Sequence, residues 1–288
     1  MNITDAWGNS GTRPLFVCDF SPPRSADPVV LEQARALDAD FISVAYSPGR
    51  AVRADSAMLA AAIRNNLQKE VMFTIATRDM NKLALHSHLL GARLLGLENV
   101  VVVGGDPLSA RDLQRTQAVN DVSPSEFIGS IREMNQGTDF RGSKLQENID
   151  LCVGGSIDIG RGTNREASLT YRKVQAGVQF FLAQPVWSAE GVREFLATYR
   201  QIAGEDLRQP VFWGVHILEQ ESVAFGSVPA WVREKLDEGR PGTEIALDLV
   251  NELFQGGIRS IYLVPPVLRG GARSYEAGQE VLAAARGL

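Results

Sequence analysis

KLALHSHLLGARLLGLENVVVVGGDP, Lys82–Pro107, holds in one stretch the pattern that decides the fold. Apolar residues at three- and four-residue spacing over Lys82–Leu95 predict an amphipathic helix, and the β-branched run Val100–Val103 predicts a buried strand after it. That strand ends on two glycines and a carboxylate, Asp106. Working outward, β-runs recur along the whole chain at Leu15–Phe20, Phe41–Tyr46, Val71–Thr77, Val100–Val103, Ile149–Val153, Val178–Ala183, Val211–His216 and Ile258–Val264. Helical patterns such as Asp55–Leu67 intervene. Strands and helices alternating in this way signal βα units around a parallel sheet. Eight units without a second composition regime predict an α/β fold, a (β/α)8 TIM barrel forming a single domain over 1–288, with 1–13 as a polar N-terminal leader.

The polar stretches Leu108–Ser125 and Asn135–Asn148 are long for a compact domain and are expected to be functional lids or mobile segments. Pro229–Gly242 reads as an insertion before a last long helix, Thr243–Phe254. The 288 residues are 44% apolar, enough for a large core, and carry a net charge of -5 with both signs interspersed. No basic stripe for nucleic acid and no polybasic membrane patch follows from that balance, so the expected ligand is a small molecule. Cys18 and Cys152 lie in apolar β-runs with no CxxC neighbour, which suits reduced buried thiols in a cytoplasmic protein, with a nucleophilic role as the alternative. No secretory signal pattern and no membrane-length apolar run is seen, so a soluble protein is expected.

Three polar residues close three strand runs: Asp19 after LFVC, Asp106 after VVVVGG and Gln184 after VQFFLA. In a (β/α)8 barrel the C-terminal strand ends form the active-site face, so these side chains are expected to converge. Asp19 begins DFSPPR, where a carboxylate beside a stiff proline turn suits either a general acid or a loop cap. Gly104 and Gly105 allow a flat ligand or a backbone to approach Asp106 closely, although Asp-Pro also starts ordinary turns. Gln184 offers a donor and an acceptor to a heterocycle edge, or satisfies loop backbone. The glycine-rich GGSIDIGRG, Gly154–Gly162, carries Arg161 and is read as either a phosphate cradle or a flexible turn. His86 and His88 are two apart on a helix, which disfavours a shared metal, and no metal site is assigned. His216, at the seventh strand end, is a site candidate or a satisfied core histidine. No lysine falls at a C-terminal strand end, which argues against Schiff-base chemistry.

Several collinear stretches resemble the methylenetetrahydrofolate reductase family. They are RDMNKLALHSHLLGARLLGLENVVVVGGDP at Arg78–Pro107, FISVAYSPG at Phe41–Gly49, RKVQAGVQFFLAQPVW at Arg172–Trp187, and VPAW at Val228–Trp231. The resemblance implies a barrel that reduces 5,10-methylenetetrahydrofolate to 5-methyltetrahydrofolate, with hydride from a nicotinamide passing through a bound flavin. It places Asp106 on the pterin as a catalytic residue, Gln184 and Tyr46 at the substrate, and Asp19 in the position of a general-acid glutamate. Asp19 is one methylene shorter than that glutamate. The cofactor positions expected are Thr74, Gly104, Gly105 and Lys173, with Arg161 from the glycine-rich stretch.

Departures from the family pattern gather on the flavin side. Thr74 stands for a strand histidine, Ala76 and Ala45 for threonines, Gly104 for arginine or threonine, and GGSIDIGRG for a segment with an aromatic and a histidine. The expectation is therefore NADH or NADPH as hydride donor, with FAD bound weakly or not at all. The alternatives are a conventional FAD-dependent reductase and a folate-binding methyltransferase barrel. Expected partners are a folate substrate and, as an open question, a second copy of the chain.

Overall fold

A computed structural model describes every residue except Phe225 and residues 269–272. The strands are β1 (Leu15–Phe20), β2 (Phe41–Val44), β3 (Val71–Ala76), β4 (Asn99–Val103), β5 (Cys152–Ile157), β6 (Phe180–Pro185), β7 (Val211–His216) and β8 (Ser260–Val264). All pair in parallel in chain order, and β8 pairs back onto β1, so the barrel closes. The helices are α1 (Ile3–Asn9), α2 (Val30–Ala36), α3 (Ser56–Leu67), α4 (Lys82–Leu94), α5 (Pro124–Asn135), α6 (Thr163–Ala176), α7 (Ala189–Ala203), α8 (Ala230–Asp237), α9 (Gly242–Gln255) and α10 (Tyr275–Ala285). No helix among the described residues is long and apolar enough to cross a membrane.

Side-chain alternation splits the core in two. Leu15, Val17, Phe41, Met72, Val101, Cys152, Phe180, Leu182 and Phe212 fill the barrel interior, while the opposite faces pack under the helices. Asp19, two residues beyond Val17, and Thr74, two beyond Met72, therefore share the inner face. The caps lie at the strand C-terminal face, where each helix starts: Asp55 accepts from Ala57 and Met58, Asn81 from Ala84, and Ser123 forms a capping box with Glu126. Each satisfies amides that the first helical turn leaves open. The mouth of the barrel is thus built from ordered loop ends.

Residues 1–13 are not a featureless leader. Ile3 and Ala6 turn one apolar face of α1 into the bottom of the barrel interior. The Ile3 amide donates to Asn99 Oδ1 at 2.9 Å, and Asn99 Nδ2 donates to the Val71 carbonyl. The Pro229–Gly242 insertion carries α8, whose Val232 and Leu236 pack with Leu218 and Ile245.

Two strands run later than the sequence suggests. β5 begins at Cys152 and continues through Gly154, Gly155 and Ser156 rather than ending at Val153. A Cβ on Gly154 would lie 2.3 Å from the Phe180 ring, so this glycine makes room for a core aromatic and does not belong to a phosphate cradle. β6 runs to Pro185 with an irregularity against β7: Leu182 pairs with Phe212 but Pro185 with Gly214. Two residues of β6, Ala183 and Gln184, stand opposite one of β7, Trp213, a bulge that carries Gln184. Gly214 admits the bulge, because a Cβ there would sit 2.6 Å from the Ala183 carbonyl and 2.7 Å from backbone atoms of Gln184 and Pro185.

The obstruction at Gly214 is backbone, which cannot rotate away. Gly214→Ala is expected to lower the unfolding free energy by about 1–3 kcal/mol, the usual cost of overpacking, in urea titration. Unchanged stability would mean that the bulge tolerates displacement.

Candidate active site

The ends of β2 to β6 surround a cleft of about 850 Å³. Of the residues expected from sequence, Tyr46, Gly104, Gly105, Asp106, Arg161, Lys173 and Gln184 line it together. Asp106 and Gln184 are both exposed to the cleft, one from the turn after β4 and the other from the β6 bulge. Gly105 holds a φ of +83°, and a Cβ there would press on Arg78 and Ala76 at 3.1 and 3.3 Å. Glycine is required for this turn on both counts.

Arg78, which follows β3, knots the cleft wall. Its Nε and Nη2 donate to the two carboxylate oxygens of Asp79, each at 2.6 Å, and its Nη1 donates to the Asp106 carbonyl at 2.6 Å. Its own carbonyl accepts from the amide of Val119, pinning the long loop after Asp106. Bidentate pairing of this kind is the strongest geometry open to a guanidinium. The Arg78 hydrogen bonds hold the Asp79 carboxyl below the usual range, while burial and Asp79 together push the Tyr46 phenol up. The RD dipeptide was part of the resemblance, but only the structure gives it this task.

Lys173 lines the cleft but is occupied. Its ammonium donates to the Ser156 carbonyl and lies 3.5 Å from Glu166, and both side chains are buried. Burial pushes the lysine down, with Glu166 pulling the other way. Arg161 lies 2.8 Å from Asp158 on the solvent side. The only Gly154–Gly162 residues on the cleft are Ser156, Asp158, Gly160 and Arg161.

Asp19 and Thr74 do not line this cleft. Thr74 is half-buried on β3, with its carbonyl accepting from Ser56 Oγ. Asp19 is 4% exposed at the end of β1, and both its oxygens are engaged. Tyr262 Oη donates to Oδ1 at 2.7 Å, and Arg273 Nη2 donates to Oδ2 at 2.6 Å. Burial, then Asp19, raises the Tyr262 phenol far above its ordinary value, so it keeps its proton. The Ser21 amide donates to Tyr275 Oη, and the Tyr275 ring stacks on Phe20 at 4.8 Å, fixing the start of the SPP turn. Sequence reasoning missed Tyr262 and Arg273. Tyr262 had a signal in its place on the inner face of β8; Arg273 had none.

His216 is 3% exposed, and burial, followed by the nearby charge of Arg273, pushes it down to about 3. It is therefore a neutral core histidine at neutral pH. His86 packs against Phe127 and Phe140, whereas His88 faces Phe73 and Asp55, so the pair does not share a ligand. Cys18 and Cys152 are buried free thiols; burial raises both, Cys152 to about 12.

A closed (β/α)8 barrel with polar groups gathered at the strand C-terminal ends has the arrangement in which barrel enzymes carry their active sites on the loop face. The family model for methylenetetrahydrofolate reductase matches residues 9–265. The chain belongs to that family. A solved structure described as an uncharacterized protein from Clostridium thermocellum that binds two copies of 5-methyl-5,6,7,8-tetrahydrofolic acid shares the fold. It has a TM-score of 0.64 at 16% identity, covering 96% of this chain and 95% of that one.

Two outcomes check the electrostatics. Arg273→Met leaves the Asp19 carboxylate buried without its cation and is expected to lower the unfolding free energy by about 3–5 kcal/mol. A loss under about 1 kcal/mol would mean that water reaches Asp19. For His216 the folded value lies below the unfolded 6.5. The unfolded chain therefore takes up the proton first, and the histidine's contribution is complete above 6.5 and lost as pH falls toward 3. His216→Gln should flatten the stability slope in that window; an identical slope would assign the acid loss elsewhere.

Proposed function

We propose that this protein reduces 5,10-methylenetetrahydrofolate to 5-methyltetrahydrofolate with NADH or NADPH, the hydride passing directly from nicotinamide to folate without a resident flavin. The observation that carries this reading is the asymmetry of the cleft. Asp106 and Gln184, the pterin positions of the family resemblance, face the same cavity. The positions that would hold a flavin are Ala45, Thr74, Ala76 and Gly104; Ala76 is buried, Thr74 lies off the cleft, and Lys173 is spent on Ser156 and Glu166. The residues present fit an isoalloxazine poorly.

In the proposed reaction the bond between the methylene carbon and N10 breaks, the N5 lone pair forms an iminium with the methylene carbon, and N10 takes a proton. Asp106 places negative charge beside the developing cation, which favours the electrophilic form. The dihydronicotinamide C4 gives two electrons and one hydrogen to the methylene carbon, leaving a methyl group and the oxidised nicotinamide. Both reactants stand in the one cleft, and its volume is within the range of ordinary cofactor sites. Asp19 is the proton donor to N10 in this reading. With Tyr262 and Arg273 both donating to its oxygens, it first has to take up a proton from water as one of those partners is displaced, by substrate reaching over from the cleft that Asp19 does not line.

Protein freed of flavin is expected to oxidise NADH or NADPH in the presence of methylenetetrahydrofolate, with no stimulation by added FAD. Activity that appears only with FAD would restore a flavin-dependent reductase. Binding of methyltetrahydrofolate with no nicotinamide oxidation would favour a methyl-transferring barrel; the folate ligand of the Clostridium thermocellum protein is compatible with that outcome. Asp19→Asn is expected to keep folate affinity within about threefold while turnover falls by about a hundredfold or more, the usual size of a general-acid contribution. Equal turnover would remove Asp19 from the chemistry.

A further inference from the structure

The two side chains that donate to the Asp19 carboxylate differ in what they can do with a proton. Arg273 Nη2 donates to Oδ2 at 2.6 Å, and Tyr262 Oη donates to Oδ1 at 2.7 Å. A guanidinium has no lone pair to accept with and keeps its protons, whereas a hydroxyl carries one hydrogen and two lone pairs. Of the two, the phenol alone can take a proton from the carboxyl and hand its own onward. Tyr275, the other phenol at the end of β1, has its oxygen on the Ser21 amide.

Position points the same way. Tyr262 pairs in register with Val17, two residues before Asp19 on the inner face of β1, and on its other side with Gly214. Its hydroxyl nevertheless meets Asp19, so the ring climbs about 6–7 Å, the rise of two strand residues, toward the strand C-terminal ends. Asp19 is 4% exposed whereas Tyr262 is half-buried, which makes the phenol the less enclosed member of the pair. Asp19 also stands off the cleft. It is one methylene shorter than the glutamate whose place it takes in the family resemblance, a shortfall of about 1–1.5 Å. A hydroxyl in contact with the carboxylate at 2.7 Å extends its reach by more than that.

We infer that Tyr262 is a catalytic residue of the proposed reduction, relaying the proton of Asp19 to N10 of the folate. This rests on the folate reading of the site and adds the route by which the acid reaches a substrate in a cleft it does not line. Before the step, Asp19 has taken up a proton from water at Oδ1 and donates it to the phenol oxygen, whose own hydrogen has turned toward N10. The partner that gives way is thus the phenol hydrogen alone, and Arg273 stays on Oδ2. As the bond between the methylene carbon and N10 breaks, its electron pair goes to N10, which takes the hydrogen of Tyr262. The phenol oxygen takes the hydrogen of Asp19 in the same step, and Asp19 is left ionised. That end state is the arrangement in the structure, a carboxylate receiving hydrogen bonds from a phenol and a guanidinium. No phenolate accumulates, in keeping with the burial and the Asp19 charge that hold the Tyr262 proton on.

The test is the single-turnover rate of methylenetetrahydrofolate reduction by NADH or NADPH on the full chain, measured beside the dissociation constant of 5-methyltetrahydrofolate. It is run on wild type, Tyr262→Phe, Asp19→Asn and the double variant. Phenylalanine keeps the ring, so folate affinity is expected to stay within about threefold while the rate falls about a hundredfold, as for Asp19→Asn. Both residues act on one proton transfer, so the double variant is expected to be at most about threefold slower than the slower single variant. A residue that only holds Asp19 in place leaves one proton in flight, whereas the relay moves two. The wild-type rate in mixtures of light and heavy water is therefore expected to bow with deuterium content, and the Tyr262→Phe rate to follow a straight line. A Tyr262→Phe rate within about fivefold of wild type, penalties that multiply, or a straight or flat wild-type plot overturns the relay. The wild-type plot needs no variant and decides alone should Tyr262→Phe fail to fold, judged by its thermal melt. Wild-type protein that reduces nothing overturns the folate reading together with the relay, as full turnover by Asp19→Asn overturns the role of Asp19. A slow Asp19→Asn beside a fast Tyr262→Phe overturns the relay only.

Discussion

Arg78 does in this barrel what a keystone does in an arch. Its three short donor contacts run to a neighbour in sequence, Asp79, and to a turn 28 residues further on. Burial and the Asp79 charge push up the phenol of Tyr46, beyond β2. The ends of two consecutive strands, β3 and β4, are tied by charge-assisted bonds rather than by packing alone, and these bonds are individually the strong ones. Such a tie holds the exposed Asp106 at a fixed place although the turn that carries it is half glycine. The opposite wall is fixed in another way, by the β6 bulge seated over Gly214. The cleft thus lies between a wall held by hydrogen bonds and a wall held by close backbone contact.

The two carboxylates read as catalytic live in opposite surroundings. Asp106 is open to the cleft and makes its charge available to a ligand. Asp19 is enclosed between a phenol and a guanidinium, in a part of the barrel shared with neutral His216. A pair of acids in one site takes different roles when environment separates them. Here the separation is steric as well as electrostatic, because Asp19 becomes reachable only when a partner gives way. The shorter aspartate suits that arrangement: its carboxyl stays close to β1, within reach of Tyr262 on the adjacent strand.

Much of the fold was legible because the barrel strands are β-branched runs bounded by glycine, proline and charge. β1 and β7 fall where the runs fall. The misjudged ends have a common cause. At β5 the strand continues through glycines that propensity counts against, because Phe180 needs the space a side chain would take. At the N-terminus the polar composition of residues 1–13 hides two apolar positions, Ile3 and Ala6, one helical turn apart. The candidate site was legible where a polar residue ends a strand, as at Asp106 and Gln184. It was not legible where function rests on partners far away in sequence. Tyr262 and Arg273 meet Asp19 across 243 and 254 residues, a contact that no local pattern encodes.

Hydride transfer from nicotinamide to folate within one cleft has an isotopic consequence that a flavin-mediated route lacks, because a hydrogen held on a flavin nitrogen exchanges with water. The most direct measurement is turnover of methylenetetrahydrofolate with nicotinamide deuterated at the transferring position of C4, in ordinary water, followed by mass analysis of the methyl group formed. Full retention of one deuterium in the 5-methyl group is the predicted result. Hydrogen from solvent in place of that deuterium would contradict direct transfer and return the cleft to a flavin.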